Sequence, residues 1–167
     1  MMTHGFDQDD DGDEPIAMLA SYFEAQGWTH EMVGGEELVT SAPGSWSQYE
    51  LRAVWREDDG VLQIMLFPDI RVADERRAAT HETLTLINEN MWMGHFELWS
   101  NPGILVWRHA TLIGTERGIT MAMTEQLVSV AMEECDRFYP AFQFMLWGNK
   151  SPAEAIAAAM VETQGEA

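Results

Sequence analysis

The segment QYELRAVWREDDGVLQIMLF, residues 48–67, decides the fold. Its first half alternates apolar residues with Gln, Glu and Arg, a period that predicts a strand with one buried face. The apolar positions are Tyr49, Leu51, Ala53 and Trp55. EDDG at 57–60 is a turn signal, and VLQIMLF at 61–67 is typical of a central strand covered on both faces. The segment therefore predicts two consecutive strands of one sheet.

The N-terminal flank extends this pattern into a β-meander over residues 28–70. VGGE at 33–36 and APGS at 42–45 are further turn signals between short strands. A helix is expected before the meander, beginning near Pro15 because the missing N–H of proline is harmless in a first helical turn. Gly27 is expected to end that helix.

A second helix and a hairpin are predicted after the meander. Asp74 is the expected cap of this helix, which should run to Gly94. Its inward-facing positions recur at helical spacing: Thr80, Leu84, Ile87 and Met91. HFELWS and ILVWRHATL then predict a hairpin around residues 101–103.

Two more helices complete the predicted fold. A long helix is expected from about Thr120, and Pro140 should kink or interrupt it. SPAE at 151–154 is a capping box that begins a final helix. This order predicts an α+β fold, an antiparallel sheet (meander plus hairpin) packed with helices. We expect residues 1–13 to form a disordered acidic arm and 14–167 a single domain.

The charge of the chain narrows the class of partner. The 167 residues include 9 Lys and Arg against 28 Asp and Glu, for a formal net charge of −19. Nucleic acid is disfavoured because phosphate contacts need Lys and Arg, and anionic membranes are disfavoured for the same reason. A cationic or neutral partner fits this charge.

The expected location is the cytoplasm. The chain has one cysteine, Cys135, so an internal disulfide is excluded and a reducing compartment fits. The sequence has no run of about 18 apolar residues, as a membrane span needs. The first residues, MMTHGFDQDDDGDEP, lack the basic and apolar regions of a signal peptide.

Three histidines raise the question of a metal site. His81, His95 and His109 are spaced by 14 residues, and three ligands suffice for a catalytic zinc. A two- or four-residue hairpin loop, however, places His95 and His109 on opposite faces of the sheet. Two ligands on opposite faces cannot bind one ion unless a bulge shifts the register. We therefore expect neither a metal site nor a cofactor.

The other reactive residues give no sign of an enzyme. Cys135 lies on the apolar stripe of its helix, where a buried, inert thiol is expected. The chain lacks GxSxG, P-loop and GxGxxG motifs. With a two-residue hairpin loop, Glu97 lies directly opposite Arg108, which predicts a structural cross-strand ion pair.

Aromatic residues and methionines are the remaining feature. The chain has seven Trp, seven Phe, three Tyr and twelve Met, concentrated at residues 91–107 and 137–148. The second group points all round a helix, so more than one element or chain must cover it. Core packing and an interface both remain open for these clusters. The candidate interface residues are Trp92, Met93, Phe96, Trp99, Phe142, Met145 and Trp147.

Several strings resemble the YbjN-domain family of bacterial sensory transduction regulators, in particular its alphaproteobacterial form. They are DIRVADERR, LINENMWMGHFELWS, WRHATL and the string from Glu134 to the C-terminus, which is the most specific. The resemblance covers roughly residues 15–167. It implies a fold similar to type III secretion chaperones, with a twisted antiparallel sheet, helices on one side and usually a dimer. It implies no catalytic residue, metal or cofactor.

Three functions follow as hypotheses. The leading one is a non-enzymatic regulatory or chaperone-like domain that forms a homodimer and binds a protein or peptide partner. The alternative is an enzyme or small-ligand-binding protein with a pocket near His95 or His109. The third is a purely structural homodimer.

Overall fold

The computed structural model of the chain describes residues 14–115 and 118–164, with side chains up to residue 160. The helices are α1 (Pro15–Gln26), α2 (Arg77–Asn88), α3 (Met121–Trp147) and α4 (Pro152–Gln164). The strands are β1 (His30–Val33), β2 (Glu37–Pro43), β3 (Gln48–Arg56), β4 (Val61–Phe67), β5 (His95–Trp99) and β6 (Ile104–Leu112). The predicted acidic arm, residues 1–13, lies outside the described residues.

The six strands form one antiparallel sheet in the order β1-β2-β3-β4-β6-β5. The meander β1–β4 forms one side of the sheet, and the hairpin β5–β6 joins it through β6. The strand β4 is therefore central, as predicted, and β1 and β5 are the edges. Together with the helices, this sheet confirms the predicted α+β fold.

The core lies between the helices and one face of the sheet. Alternate strand residues point into it and pack with apolar residues of α1 and α3. The largest fully buried strand side chains are Leu38, Tyr49, Leu51, Leu62, Ile64, Leu66, Phe96 and Trp107. Full burial of one large apolar side chain contributes roughly 1.5–3 kcal/mol, so this layer is a main source of stability.

Strand side chains themselves cover part of the opposite face of the sheet. The Arg52 guanidinium lies 5.5 Å from the ring centre of Phe67, and Trp99 contacts the same ring edge-on at 5.5 Å. This cover buries Met65, on the face of β4 away from the core. The expectation that β4 is covered on both faces is therefore met only in part, because its other residues on this face stay half-buried.

The second helix is shorter than predicted. It begins at Arg77, after a 3₁₀ turn over Asp74–Arg76, and ends at Asn88, before Gly94. Asp74 makes no capping hydrogen bond and instead pairs with Arg77. The helix ends early because the Asn88 side chain hydrogen-bonds to the backbone of β5, which turns the chain away from the helix axis.

Pro140 does not interrupt α3, which runs unbroken through it. A proline removes the N–H that would bond the carbonyl four residues earlier, here that of Asp136. The Trp46 indole N–H donates to that carbonyl at 3.0 Å and replaces the missing donor. The Asp136 carboxylate also accepts bonds from the Ser45 N–H at 2.9 Å and the Tyr49 hydroxyl at 2.8 Å. The β2–β3 turn is thereby clamped to α3.

The predicted helix boundaries are otherwise confirmed. The Glu14 carboxylate accepts bonds from the first turn of α1, and Gly27 ends that helix in the left-handed conformation at φ 77°. The capping box of α4 is formed: Glu154 N–H donates to Ser151 Oγ at 3.2 Å, and Ser151 N–H donates to the Glu154 carboxylate at 3.4 Å.

The β5–β6 hairpin has a four-residue loop, so its register differs from the two-residue alternative. Trp99 pairs with Ile104, and Glu97 therefore lies opposite Val106, not opposite Arg108 as predicted. The loop is longer because Gly103, at φ 85°, donates its N–H to the Trp99 carbonyl at 2.8 Å. The ion pair between Glu97 and Arg108 still forms, but diagonally.

Candidate partner-binding site

A groove of about 560 Å³ runs beside the first half of α3, between that helix and β6. Its lining is mainly apolar, and the segment between α2 and β5 contributes one residue to it. Its lining includes Met93, His109, Thr111, Met123, Leu127 and Val130, together with the polar residues Gln126, Ser129 and Glu133 of α3. We call this cleft the α3–β6 groove.

The sequence of α3 places an apolar stripe along this groove. Met123, Leu127 and Val130 recur at the three- and four-residue spacing that puts side chains on one face of a helix. The second half of α3 packs against other helices: Thr80 of α2 contacts Met145 of α3, and α4 packs against α3. The groove lies beyond that helical cover.

The wall formed by the α2–β5 segment is anchored at both ends. At its start, Asn88 bonds both the N–H and the carbonyl of Phe96, at 2.9 and 3.0 Å. At its end, the Gly94 N–H donates to His109 Nδ1 at 3.0 Å. Gly94 has φ 68°, and a Cβ there would lie 2.3 Å from the Trp107 ring, so only glycine fits.

Two apolar side chains project from this anchored segment. Trp92 is fully exposed to solvent, and Met93 is exposed over 38% of its surface while lining the groove. Because a neighbouring helix end and a strand hold the segment, the fold fixes where the backbone presents both residues.

His109 is one of the polar residues that line the groove. Its Nδ1 accepts the Gly94 N–H, so the proton of the neutral ring is on Nε2, which is a hydrogen-bond donor. Burial lowers the pKa of His109, and the nearby charge of His95 lowers it further. The ring therefore favours its neutral form.

His95 belongs to a separate cluster on the other face of the sheet, as the hairpin parity predicts. The Glu97 carboxylate contacts His95 Nε2 at 2.6 Å, accepts the Trp99 indole N–H at 3.0 Å and pairs with Arg108. Burial raises the pKa of Glu97, but these three hydrogen bonds lower it by more, so the net shift is downward. The carboxylate is thus fully engaged.

The groove and this cluster do not combine into a metal site. His95 and His109 lie on opposite faces, and His81 is exposed on α2. Across residues 14–115 and 118–164, the structure contains no group of three His, Cys, Asp or Glu side chains placed to hold a metal ion. Cys135 is buried, and this burial raises the pKa of its thiol well above the ordinary value.

The seven candidate interface residues separate into two groups. Trp92, Met93, Trp99 and Trp147 are exposed. Phe96, Phe142 and Met145 are at most 2% exposed and lie in the core, so they present no surface to a partner and are withdrawn from the candidate interface. They are buried because α2, α4 and the sheet enclose the second half of α3. The Phe96 and Phe142 rings, for example, meet edge-on at 5.2 Å.

Sequence reasoning missed the groove stripe of α3. The predicted stripe of that helix, which includes Cys135 and Phe138, faces the core. The neighbouring stripe at Met123 and Val130 has the same spacing and was a usable signal. What the sequence could not show is that the neighbouring helices leave this second stripe uncovered.

A larger cleft, of about 710 Å³, lies elsewhere on the sheet, lined by residues that include Val39, Glu50, Phe67 and Arg71. None of the most exposed large apolar side chains of the described residues lines it. Acidic, basic and apolar side chains alternate in its lining, so the lining does not favour one class of ligand. The α3–β6 groove is therefore the better candidate despite its smaller volume.

Fold and site define an α+β domain with an apolar surface groove beside a fixed, exposed Trp–Met pair. The sequence profile of the YbjN family, described as "Putative bacterial sensory transduction regulator", matches residues 15–144, and the chain belongs to this family.

One similar solved structure is the crystal structure of "YbjN, a putative transcription regulator from E. coli". It shares 12% sequence identity with this chain, with a TM-score of 0.54 over 80% of this chain and 90% of that one, and so shows the same fold. No curated protein matches the sequence. Within the described part of the chain, no helix is long and apolar enough to cross a membrane.

Proposed function

We propose that this protein is a non-enzymatic, chaperone-like regulatory domain that binds a segment of a partner protein in the α3–β6 groove. The carrying observation is the fully exposed Trp92 beside Met93 on a segment anchored at both ends. Trp and Met are enriched in the cores of protein interfaces, and exposure of a large apolar ring to water is unfavourable. Membership of a family described as regulators supports this proposal.

The lining of the groove suits a protein partner. Methionine side chains are flexible and polarisable, and they adapt to partners of different shape. Met93 and Met123 stand on different elements, the α2–β5 segment and α3, so they border the groove from two directions. A segment laid between them gains apolar contacts on both flanks.

The described residues that most often perform catalysis have structural roles. The Cys135 thiol is buried in the core, the Glu97 carboxylate is fully hydrogen-bonded, and His109 accepts a backbone N–H. This arrangement favours a binding function over an enzymatic one.

Dimerisation is the second part of the proposal. Trp99 and Trp147 lie at one end of the molecule, because Arg77 on α2 bonds the Ser100 carbonyl next to Trp99, and its neighbour Arg76 bonds Asn149. Both indoles are exposed. A homodimer whose interface is formed by Trp99 and Trp147 leaves the α2–β5 segment, with Trp92, free to bind a partner.

The partner site is tested by affinity capture from the native cell followed by binding of the purified partner. Baits are the wild-type chain, a Trp92→Ser/Met93→Ser variant and, as control, Met32→Ser, an exposed methionine on β1 outside the groove. We expect the wild type and the control to capture and bind the same protein and the double variant to lose it. Loss from all three baits, or from none, contradicts the proposed site.

The dimer is tested separately by sedimentation velocity of the wild type, Trp99→Ser/Trp147→Ser and Trp92→Ser. We expect only the variant at the Trp99–Trp147 end to become a monomer. A monomeric wild type contradicts dimerisation without bearing on the groove.

Binding of a small apolar ligand is a second candidate function. The groove volume of about 560 Å³ is typical of ligand pockets, and the His109 Nε2–H supplies one polar contact. Native mass spectrometry of the purified protein should then detect a bound compound that Val130→Trp excludes. Absence of a bound compound in the wild type contradicts this candidate.

A further inference from the structure

Building on the proposed function, on which the inference rests, we infer that the groove accepts a basic amphipathic helix of another protein, laid along the first half of α3. Four observations support this occupant: the shape of the helical layer, the apolar stripe, the acidic end of the groove and the blocked edge of β5.

The shape of the helical layer calls for a helix. The 27 residues of α3 make a helix about 40 Å long, whose second half packs against α2 and α4. The groove continues along the first half, on the stripe from Met123 to Glu133. That stripe is about 15 Å long, the length of roughly ten helical residues. A helical segment of this size extends the existing layer.

The apolar lining fits one face of such a helix. Met93, Met123 and Val130 are each partly exposed, so an occupant can still bury their surface. Leu127 is already buried and forms the floor. Apolar residues of the occupant at i, i+3, i+4 and i+7 would lie against these side chains, as amphipathic helices do in apolar grooves.

The charges at the groove favour a basic occupant. Glu133 is exposed and lines one end of the groove, and no Arg or Lys of the described chain lines it. A Lys or Arg of the occupant would meet the Glu133 carboxylate. The net charge of −19 also steers cations toward the chain.

An extended strand fits less well. Strand addition needs free backbone N–H and carbonyl groups on an edge strand. Beside the α2–β5 segment, the edge of β5 is occupied at Phe96, where Asn88 bonds both backbone groups. The other strand at the groove, β6, is paired with β4 and, over Ile104–Arg108, also with β5, so it offers an edge only over its last residues, 109–112.

The probe for this inference is a synthetic 18-residue Leu–Lys peptide with leucines at i, i+3, i+4 and i+7. Two further peptides serve as controls: a scrambled sequence of the same composition, and a Leu–Glu peptide with the same leucine spacing. Binding is measured by fluorescence anisotropy at two salt concentrations. We expect the full-length protein to bind the Leu–Lys peptide at least about tenfold tighter than either control, with affinity falling as salt rises.

Groove variants separate specific docking from general charge attraction. Met123→Ser/Val130→Ser should weaken binding of the Leu–Lys peptide on the order of tenfold, and Glu133→Gln several-fold. Met32→Ser and Glu31→Gln, on β1 and outside the groove, should leave binding unchanged. Circular dichroism of each variant confirms that it is folded.

Two outcomes overturn the inference: no preference for the amphipathic basic peptide, or equal binding by the groove and β1 variants. If dimerisation of the protein competes with peptide binding, the occupant of the groove is a second copy of the chain. That result also overturns the inference. The proposed function is decided separately by the capture experiment with Trp92→Ser/Met93→Ser. A captured partner that depends on these residues but binds as an acidic or extended segment leaves the proposed function standing.

Discussion

Gly94 is the residue on which the shape of the proposed partner site depends. It combines a left-handed backbone with direct contact to the Trp107 ring. The hydrogen bond from its N–H to His109 then fixes the end of the α2–β5 segment, which carries Trp92. Sequence reasoning identified this glycine as a break in the chain but not the ring against it, because that contact depends on the pairing of β5 with β6.

Gly94→Ala should destabilise the fold by roughly 2–4 kcal/mol, because the methyl group adds a clash with Trp107 to the cost of a left-handed φ. The matched control is Gly34→Ala, which has φ 63° and no atom within 4 Å of the added Cβ. Urea denaturation of both variants measures the difference. Equal losses of stability would mean that the Trp107 contact contributes nothing.

His109 should make the stability of the fold depend on pH. Its pKa is lowered in the folded state from the ordinary 6.5, so the unfolded chain takes up a proton first as pH falls. Stability is therefore full above pH 6.5 and declines between 6.5 and the lowered pKa. His95 on β5 acts electrostatically on this ring, and Glu133 on α3 lines the same groove.

The test compares the wild type with His109→Asn, whose side-chain oxygen can accept the Gly94 N–H without titrating. Urea unfolding from pH 7.5 to pH 5 should give a smaller loss of stability for the variant. Parallel curves for the two proteins would exclude His109 as the source of the pH dependence.

At the scale of elements, two contacts hold helices to the sheet in ways that the sequence pattern does not reveal. Trp46 supplies the hydrogen bond that Pro140 removes from α3, and Asn88 bonds the backbone of Phe96 at the edge of β5. Hydrophobic period and turn residues predicted nearly every element, including the start of α1 near Pro15 and the capping box at Ser151. Contacts between distant residues carry no such local signal, so they became visible only in the folded chain.

Trp46→Phe should cost about 1 kcal/mol, because the Asp136 carbonyl loses its donor while the aromatic contact with Tyr139 is largely kept. In a Pro140→Ala background, the restored helical N–H can bond that carbonyl, so the same substitution should cost less. A double-mutant cycle by urea denaturation measures this coupling. If the two substitutions have additive effects on stability, the Trp46 indole does not replace the N–H that Pro140 removes.

Asn88→Ala should lower stability by roughly 1–2 kcal/mol and raise self-association, since it frees the backbone groups of Phe96 at the edge of β5. The control is Asn90→Ala, which removes a bond to a carbonyl of α2 and leaves the edge sealed. Denaturation and light scattering of both variants provide the comparison. An unchanged aggregation rate for Asn88→Ala would show that the edge is protected by something else.

At the scale of the whole molecule, an acidic chain combines a β5 edge that is occupied at Phe96 with an apolar groove beside α3. The fold class and the chain's place in the YbjN family were predictable from the sequence. Both rest on local features: the alternation of apolar and polar residues in strands, and short stretches that resemble the family. The candidate site was only partly predictable: Trp92 and Met93, named from the sequence, are exposed, whereas Phe142 and Met145 are buried in the core. The exposure of a side chain depends on which neighbouring elements cover its helix or strand. The amino-acid composition does not reveal which elements those are.

The most direct test of the partner site is photo-crosslinking in the native cell from p-benzoylphenylalanine placed at Met93. The same group at Met32, outside the groove, gives the background. The account predicts that Met93 crosslinks to one defined segment of a partner protein, identified by mass spectrometry, and that Met32 does not. Identical products from both positions, or none from Met93, would contradict it.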